Sequence, residues 1–183
     1  MSGEQELSAF FISRGIMKHL IEALCRLWDP AWQGMVMGKL TYKKGRGKGS
    51  GELISKVSHH PVLSLSISDK ESHEYMNILL FPFKGMEGEK GRGDGKAWRS
   101  FTADEVREYS RRMGDHNEIH QSSHPVVSGF QLAEELGKDL PFSSCLKIRF
   151  HHPVYSGETI CLKADGPVIL GYTDDLCFKV ERK

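Results

Sequence analysis

The sequence predicts an α+β protein made of two similar units, each a helix packed on an antiparallel β-sheet, and three observations carry that prediction. In each half a helical apolar face precedes runs with strand-like alternation. Each half also carries a Ser-Gly-Glu turn at a matched distance from a Pro-Val pair, and a glycine-and-charge stretch lies between the halves. At 183 residues, with 39% hydrophobic and 27% charged, the chain can bury a core without disulfide or metal support.

The first half opens with a segment from Leu7 to Trp28 in which Ile16, Leu20, Leu24 and Leu27 recur at helical spacing, and Asp29-Pro30 ends it. Strands are expected from Met35 to Tyr42, Glu52 to Ser58, Val62 to Ser68 and Met76 to Phe81. Leu63, Leu65 and Ile67 alternate with serines, and Pro82 closes the last run. Residues 84–97 hold too much glycine and charge for a regular element and are expected to be a linker between a first unit over 1–83 and a second over 98–183.

The second half begins at a helix start that the side chains spell out. Thr102 and Glu105 form a capping box, Phe101 and Val106 a hydrophobic staple, and Val106, Tyr109 and Met113 the apolar side. A second helix starts at Ser128-Gly129, with Phe130, Ala133 and Leu136 on its buried face. Strand alternation follows over Leu146 to Phe150, Thr159 to Ala164 and Leu176 to Val180. In both halves ten residues separate the glycine of Ser-Gly-Glu (Gly51, Gly157) from the proline of Pro-Val (Pro61, Pro167), which reads as an internal duplication.

A formal net charge of +1 argues against a general nucleic-acid or polyanion binder. No apolar run reaches the length of a membrane span, and the polar, acidic start Met1 to Glu6 is unlike a signal peptide, so a cytoplasmic protein is expected. The cysteines at 25, 145, 161 and 177 form no CxxC pair and read as free thiols. The doublets His59-His60 and His151-His152, each followed by proline, read as turn or strand-end residues without chemistry.

The densest chemistry lies between Gly114 and His120, where Asp115, Asn117 and His120 put a carboxylate, an amide and an imidazole in one short loop. An acid and a base arrive together with an orienting group. The helix start at Ser128-Gly129 follows, and its backbone N–H groups can face the same spot. Taken singly, Asp115 and Asn117 are also ordinary turn residues; their joint spacing with His120 and Gly129 favours chemistry. A zinc reading rests on His116, His120 and His124 recurring every four residues, but Pro125 and the Gly-Asp start argue for a loop rather than one helical face. The basic run Lys43 to Lys48 reads first as a solvated hairpin tip and second as a rim for an anionic carrier.

The second half resembles the MaoC-like, (R)-specific enoyl-CoA hydratase branch of the hot-dog fold. The resemblance spans roughly Trp98 to Val180 and is carried by Phe101 to Val106, Gly114 to His120, Val127 to Phe130, and the run Ile148 to Thr159 containing Pro153 and Gly157-Glu158. It implies a double hot-dog, with Asp115 and His120 as the catalytic pair, Asn117 orienting the site, and Gly129 donating its N–H to the thioester oxygen. Two positions depart from the family pattern: Glu118 stands where proline is usual, and Ser128 where histidine usually precedes the glycine. Ser128 leaves the glycine N–H in place and adds a helix N-cap.

Hydration of a 2-enoyl thioester explains those residue types. A base takes a proton from the water that attacks C3, an acid protonates C2, and donors stabilise the enolate-like charge on the thioester oxygen. Asp115 is the favoured base and His120 the favoured acid, holding a water between them, although the sequence does not fix which does which. The first half has no counterpart of this loop, and the resemblance implies that it shapes the acyl pocket. The expected substrate is an acyl-CoA or acyl-carrier-protein thioester, with no metal and no redox cofactor; the rival readings are a non-catalytic acyl-thioester binding module and a hot-dog thioesterase. A homodimer rests only on symmetric dimers being the commonest oligomers.

Overall fold

A computed structural model describes residues 16–46, 51–59, 62–83 and 95–183. The first helix, α1 (Ile16–Cys25), buries Leu20, Ile21 and Leu24, and the turn that follows bonds Leu27 N–H to Leu24 O and Trp28 N–H to Cys25 O. Tightening to i→i−3 ends the helix, and Asp29 then caps a short 3₁₀ turn, Pro30–Trp32. The expected helical residues before Ile16 lie outside the described residues. Each fully buried aliphatic side chain on α1 contributes roughly 1.5–3 kcal/mol relative to exposure, so Leu20→Ala would loosen the helix from the sheet.

Four strands follow: β1 (Met35–Lys43), β2 (Leu53–Ser58), β3 (Leu63–Asp69) and β4 (Tyr75–Pro82). After β5 (Lys96–Ser100) come α2 (Ala103–Met113), a 3₁₀ turn (Glu118–His120) and α3 (Gly129–Asp139). The chain ends in β6 (Cys145–Phe150), β7 (Thr159–Asp165), β8 (Val168–Tyr172) and β9 (Leu176–Arg182). All nine strands of the described residues form one antiparallel sheet, in the order β2-β3-β4-β1-β6-β9-β8-β7-β5. Outward from the β1–β6 pair, the order is β1-β4-β3-β2 on one side and β6-β9-β8-β7 on the other, where β5 adds a further edge strand without a counterpart among the described residues. The two Ser-Gly-Glu and Pro-Val signals sit at equivalent places, ahead of the strands of the β2–β3 and β7–β8 hairpins.

Two strands escaped the sequence reading, for different physical reasons. Among the described residues β5 is an edge strand paired to β7 alone, with no fully buried residue, so no burial alternation marks it; it begins at Lys96, inside the expected 84–97 linker. Residues 84–94 lie outside the described residues. β8 is a continuous apolar run, Val168 to Leu170, broken by Gly171, where an added Cβ would fall 2.2 Å from the Phe178 ring. Helices α1 and α3 lie on the same face of the sheet, α1 on β3 and α3 on β1 and β6, and they touch each other. Leu40, Ile148 and Val180, directly opposite one another on β1, β6 and β9, are the buried floor of that core. No helix among the described residues is long and apolar enough to cross a membrane.

Candidate active site

The loop that follows α2 is built from a helix end. Thr102 accepts from Glu105 N–H while Glu105 accepts from Thr102 N–H, the expected capping box, and Gly114 at φ 73° closes the other end of α2 in the left-handed conformation that glycine adopts without strain. The chain reverses there, and Ser110 clamps the next residue from both sides: Asp115 N–H donates to the Ser110 carbonyl at 2.9 Å and the Ser110 hydroxyl donates to the Asp115 carbonyl at 2.7 Å. A fully buried Ser110 thereby fixes the backbone that aims the Asp115 carboxylate.

His120 is aimed by an equally local device. Its Nδ1 lies 2.6 Å from the Val126 carbonyl, so Nδ1 carries the proton and Nε2 faces Asp115 Oδ2 at 3.3 Å. Both side chains are nearly enclosed, at 7% and 10% exposure. Burial alone would push the Asp115 carboxyl up, but the hydrogen bond and charge of His120, with the Asn117 N–H and Ser128 hydroxyl, hold it below the usual carboxylate range. Burial likewise would push His120 down, and Asp115 together with the Val126 carbonyl holds it above the ordinary imidazole value. Both shifts favour the charged forms, carboxylate on Asp115 and imidazolium on His120.

Ser128 is the N-cap of α3: its hydroxyl accepts from Phe130 N–H at 3.3 Å and lies 3.5 Å from Asp115 Oδ2. Gly129 is the first residue of α3, where a backbone N–H has no intrahelical acceptor. A Cβ on Gly129 would stand 2.9 Å from Met37 Sδ, so this helix start and β1 are in close contact.

Asn117 sits beside the pair and bonds away from it. Its backbone N–H reaches Asp115 Oδ1 at 3.1 Å, but its buried amide donates to the Met35 carbonyl at 2.7 Å and accepts from Gly34 N–H at 3.2 Å. Gln33 adds a second tie, donating to the His116 carbonyl and accepting from Glu118 N–H. The first half thus grips the loop of the second through Gln33, Gly34 and Met35. Glu118, which stands where the resembling family has proline, is exposed and uses its N–H in this grip.

Asp115, Asn117, His120, Ser128 and Gly129 all line one cavity of about 400 Å³. Its remaining wall is largely apolar and comes in good part from the first half, with Leu24, Trp28, Trp32, Leu65, Ile78 and Phe81. Cys25 is also in the wall, its thiol pushed well up by burial and then by the Asp115 charge, so it stays protonated. His151 and His152, given no chemistry in the sequence, line the cavity as well, and His152 points Nε2 toward Asp175 at 3.8 Å. Position directly after a core strand was the signal that could have found them.

The three-histidine alternative does not assemble: His120 is buried in the short 3₁₀ turn while His116 and His124 are exposed, so they share no helical face. The basic run is also misplaced for a cavity rim. Lys43 ends β1, whereas Met35 to Gly38 at its start line the cavity, and five strand steps put Lys43 roughly 16 Å from the nearest of them. Lys43 instead lies over the Tyr75 ring, and residues 47–48 of the run lie outside the described residues.

No family model matches the sequence, and no curated protein matches it. Among solved structures, two of HtdX from Mycobacterium tuberculosis align with TM-scores of 0.62 and 0.64 at 15% identity, over 92% and 91% of this chain and 85% of each of those. The full-length peroxisomal multifunctional enzyme type 2 of Drosophila melanogaster aligns at 0.54 and 15% identity, over 91% of this chain and 40% of that one. A MaoC-like dehydratase from Phytophthora capsici aligns at 0.50 and 14%, over 85% of this chain and 73% of that one. Likeness at this identity is likeness of fold: the chain has the hot-dog-like fold, a long antiparallel sheet with few helices, that it shares with a MaoC-like dehydratase.

Proposed function

We propose that this chain interconverts a 2-enoyl thioester and the (R)-3-hydroxyacyl thioester by adding or removing water. The observation that carries the reading is the Asp115–His120 pair, 3.3 Å apart and nearly enclosed, in an apolar-walled cavity that also holds the first residue of α3. In the hydration direction a water bound to the pair attacks C3 and gives a proton to Asp115, while the imidazolium of His120 gives its Nε2 proton to C2. The depressed Asp115 and raised His120 support that division of roles, which the sequence left open. Charge gathering on the thioester oxygen is met by the Gly129 N–H and the positive end of α3.

The acyl chain runs into the apolar wall supplied by the first half, whose sequence holds no counterpart of the Asp115-x-Asn117-x-x-His120 pattern. This division, together with the mirrored strand order about β1–β6, supports a double hot-dog: a pocket-forming unit over 1–83 and a catalytic unit over 98–183. The substrate is then a CoA or acyl-carrier-protein thioester, and no redox cofactor enters the chemistry.

Purified protein offered crotonyl-CoA and longer 2-enoyl-CoA esters tests the reading by loss of enoyl-thioester absorbance. Wild type turns over, and Asp115→Asn falls by about 10²–10⁴ with its fold retained. No turnover by wild type on any chain length sinks the hydratase reading, and release of free CoA thiol would replace it with a thioesterase.

A further inference from the structure

The strands that join the two halves carry an unbalanced charge pattern on the sheet face away from the helices. Leu40, Ile148 and Val180 face the core, so strand alternation turns Lys39, Arg149 and Lys179 to the other side, where the register sets them directly opposite one another across three adjacent strands. Thr41, Lys147 and Glu181 form the next row, and Lys43 beside Cys145 the one after. The block thus holds Lys39, Lys43, Lys147, Arg149 and Lys179 against the single carboxylate of Glu181, in a chain of net charge +1. Among the described residues, no ion pair reaches Lys39, Lys147, Arg149 or Lys179.

Like charges directly opposite on neighbouring strands destabilise a sheet. A row of three such charges therefore weakens the junction it sits on, and an anionic partner is what would relieve it. We propose that the outer face of β1, β6 and β9 docks an acidic helix of a partner protein, lying across the strands.

Spacing selects that partner. Neighbouring strands stand about 4.8 Å apart and a helix presents one residue per turn about every 5.4 Å, a mismatch that the flexible Lys and Arg stems absorb. Beyond each end of the cation row the register continues to an apolar residue, Leu79 on β4 and Leu170 on β8. The complementary helix face therefore reads apolar, acid, acid, acid, apolar, one residue per turn. A membrane plane fits less well, because a twist of roughly 20–25° per strand turns the neighbouring strands away from any flat surface. Nor does the near-neutral chain supply the long-range pull that nucleic acid or an anionic bilayer would need. The surface lies across the sheet from α1 and α3 and assumes nothing about the reaction.

A fluorescent amphipathic peptide of about 18 residues, long enough at 1.5 Å per residue to cross five strands, tests the proposal. One version carries the apolar-acid-acid-acid-apolar face and a second the same residues scrambled. Fluorescence anisotropy on the full chain should show the patterned peptide binding at least about tenfold more tightly than the scrambled one. The Lys39→Glu/Arg149→Glu/Lys179→Glu variant should lose at least as much. Arg149→Gln, which relieves two like-charge contacts without reversing a charge, should weaken the peptide while leaving the urea midpoint unchanged or higher, so lost binding cannot be put down to unfolding. Equal binding of the two peptides, no loss in the variants, or binding of phosphatidylserine vesicles or duplex DNA in place of the patterned peptide would each overturn it.

Discussion

Replacing His120 with leucine asks whether a buried carboxylate is kept ionised by its neighbour. In the wild-type protein Asp115 is depressed and His120 raised. The depressed group contributes stability above its ordinary value of 3.8, lost as pH falls through the lowered one. The raised group contributes fully below 6.5, and that part is lost as pH rises through its raised value. Between pH 4 and 6 both contributions are in force. Once leucine removes the imidazole, burial, the largest influence on Asp115, drives the carboxyl above its ordinary value and the folded state takes up a proton that the unfolded state lacks. The stability gap between wild type and variant then widens by up to about 1.4 kcal/mol per pH unit, about 2 kcal/mol from pH 4 to 6. The Val126 carbonyl also loses the donor 2.6 Å away, which adds about 1 kcal/mol at every pH. Urea denaturation of both proteins at pH 4, 5 and 6, followed by tryptophan fluorescence, measures the gap. A gap that stays flat across this range would mean that Asp115 does not depend on His120 for its charge, and the acid-base assignment would fall with it.

Other perturbations separate stability from chemistry. Thr102→Ala removes the acceptor for Glu105 N–H and should cost about 1 kcal/mol in urea denaturation while leaving the hydration rate of the folded protein unchanged. Gly129→Ala places a methyl 2.9 Å from Met37 Sδ, which has to give way, and should cost about 1–3 kcal/mol in urea denaturation. Activity should drop at least about tenfold, and adding Met37→Ala should restore part of it; full activity in the single variant would contradict the role given to the helix start. Because the acid must be charged and the base ionised, the rate of crotonyl-CoA hydration should be level from pH 4 to 6.5, falling only below the ordinary aspartate value and above the ordinary histidine value. A half-maximal point inside that interval would show that another group limits the reaction.

The elements that could be read from the sequence are those whose burial is one-sided. β3 shows strict alternation because Leu63, Leu65 and Ile67 face the helices and the intervening serines do not, and α2 was legible because its cap, staple and apolar side lie within twelve residues of one another. β5 has no buried face to write a pattern, and β8 is apolar on both sides, so neither carries the period of two. Within the loop, the residues that carry charge were visible because Asp, Asn and His are chemically conspicuous at that spacing. Ser110, which clamps Asp115 at both ends of its peptide unit, looked like one more small residue in a helix.

What no local pattern could supply is the contact between halves. Asn117 is conspicuous in the loop, yet besides accepting from Ile119 N–H its side chain bonds to Gly34 and Met35, more than 80 residues earlier, and its backbone N–H serves Asp115. Gln33 repeats the arrangement at His116 and Glu118. Both ties depend on β1 lying beside β6, a pairing between strands that are distant in sequence and become neighbours only when the sheet closes across its middle. The same pairing brings Met37 against Gly129 and lets the first half wall the cavity in which Asp115 and His120 meet. On the proposed function, an orienting role for Asn117 is thus an anchoring role: it fixes the loop to the half that walls the cavity, so the position of Asp115 and His120 relative to a bound chain would be set by the junction of the two halves and not by the loop alone.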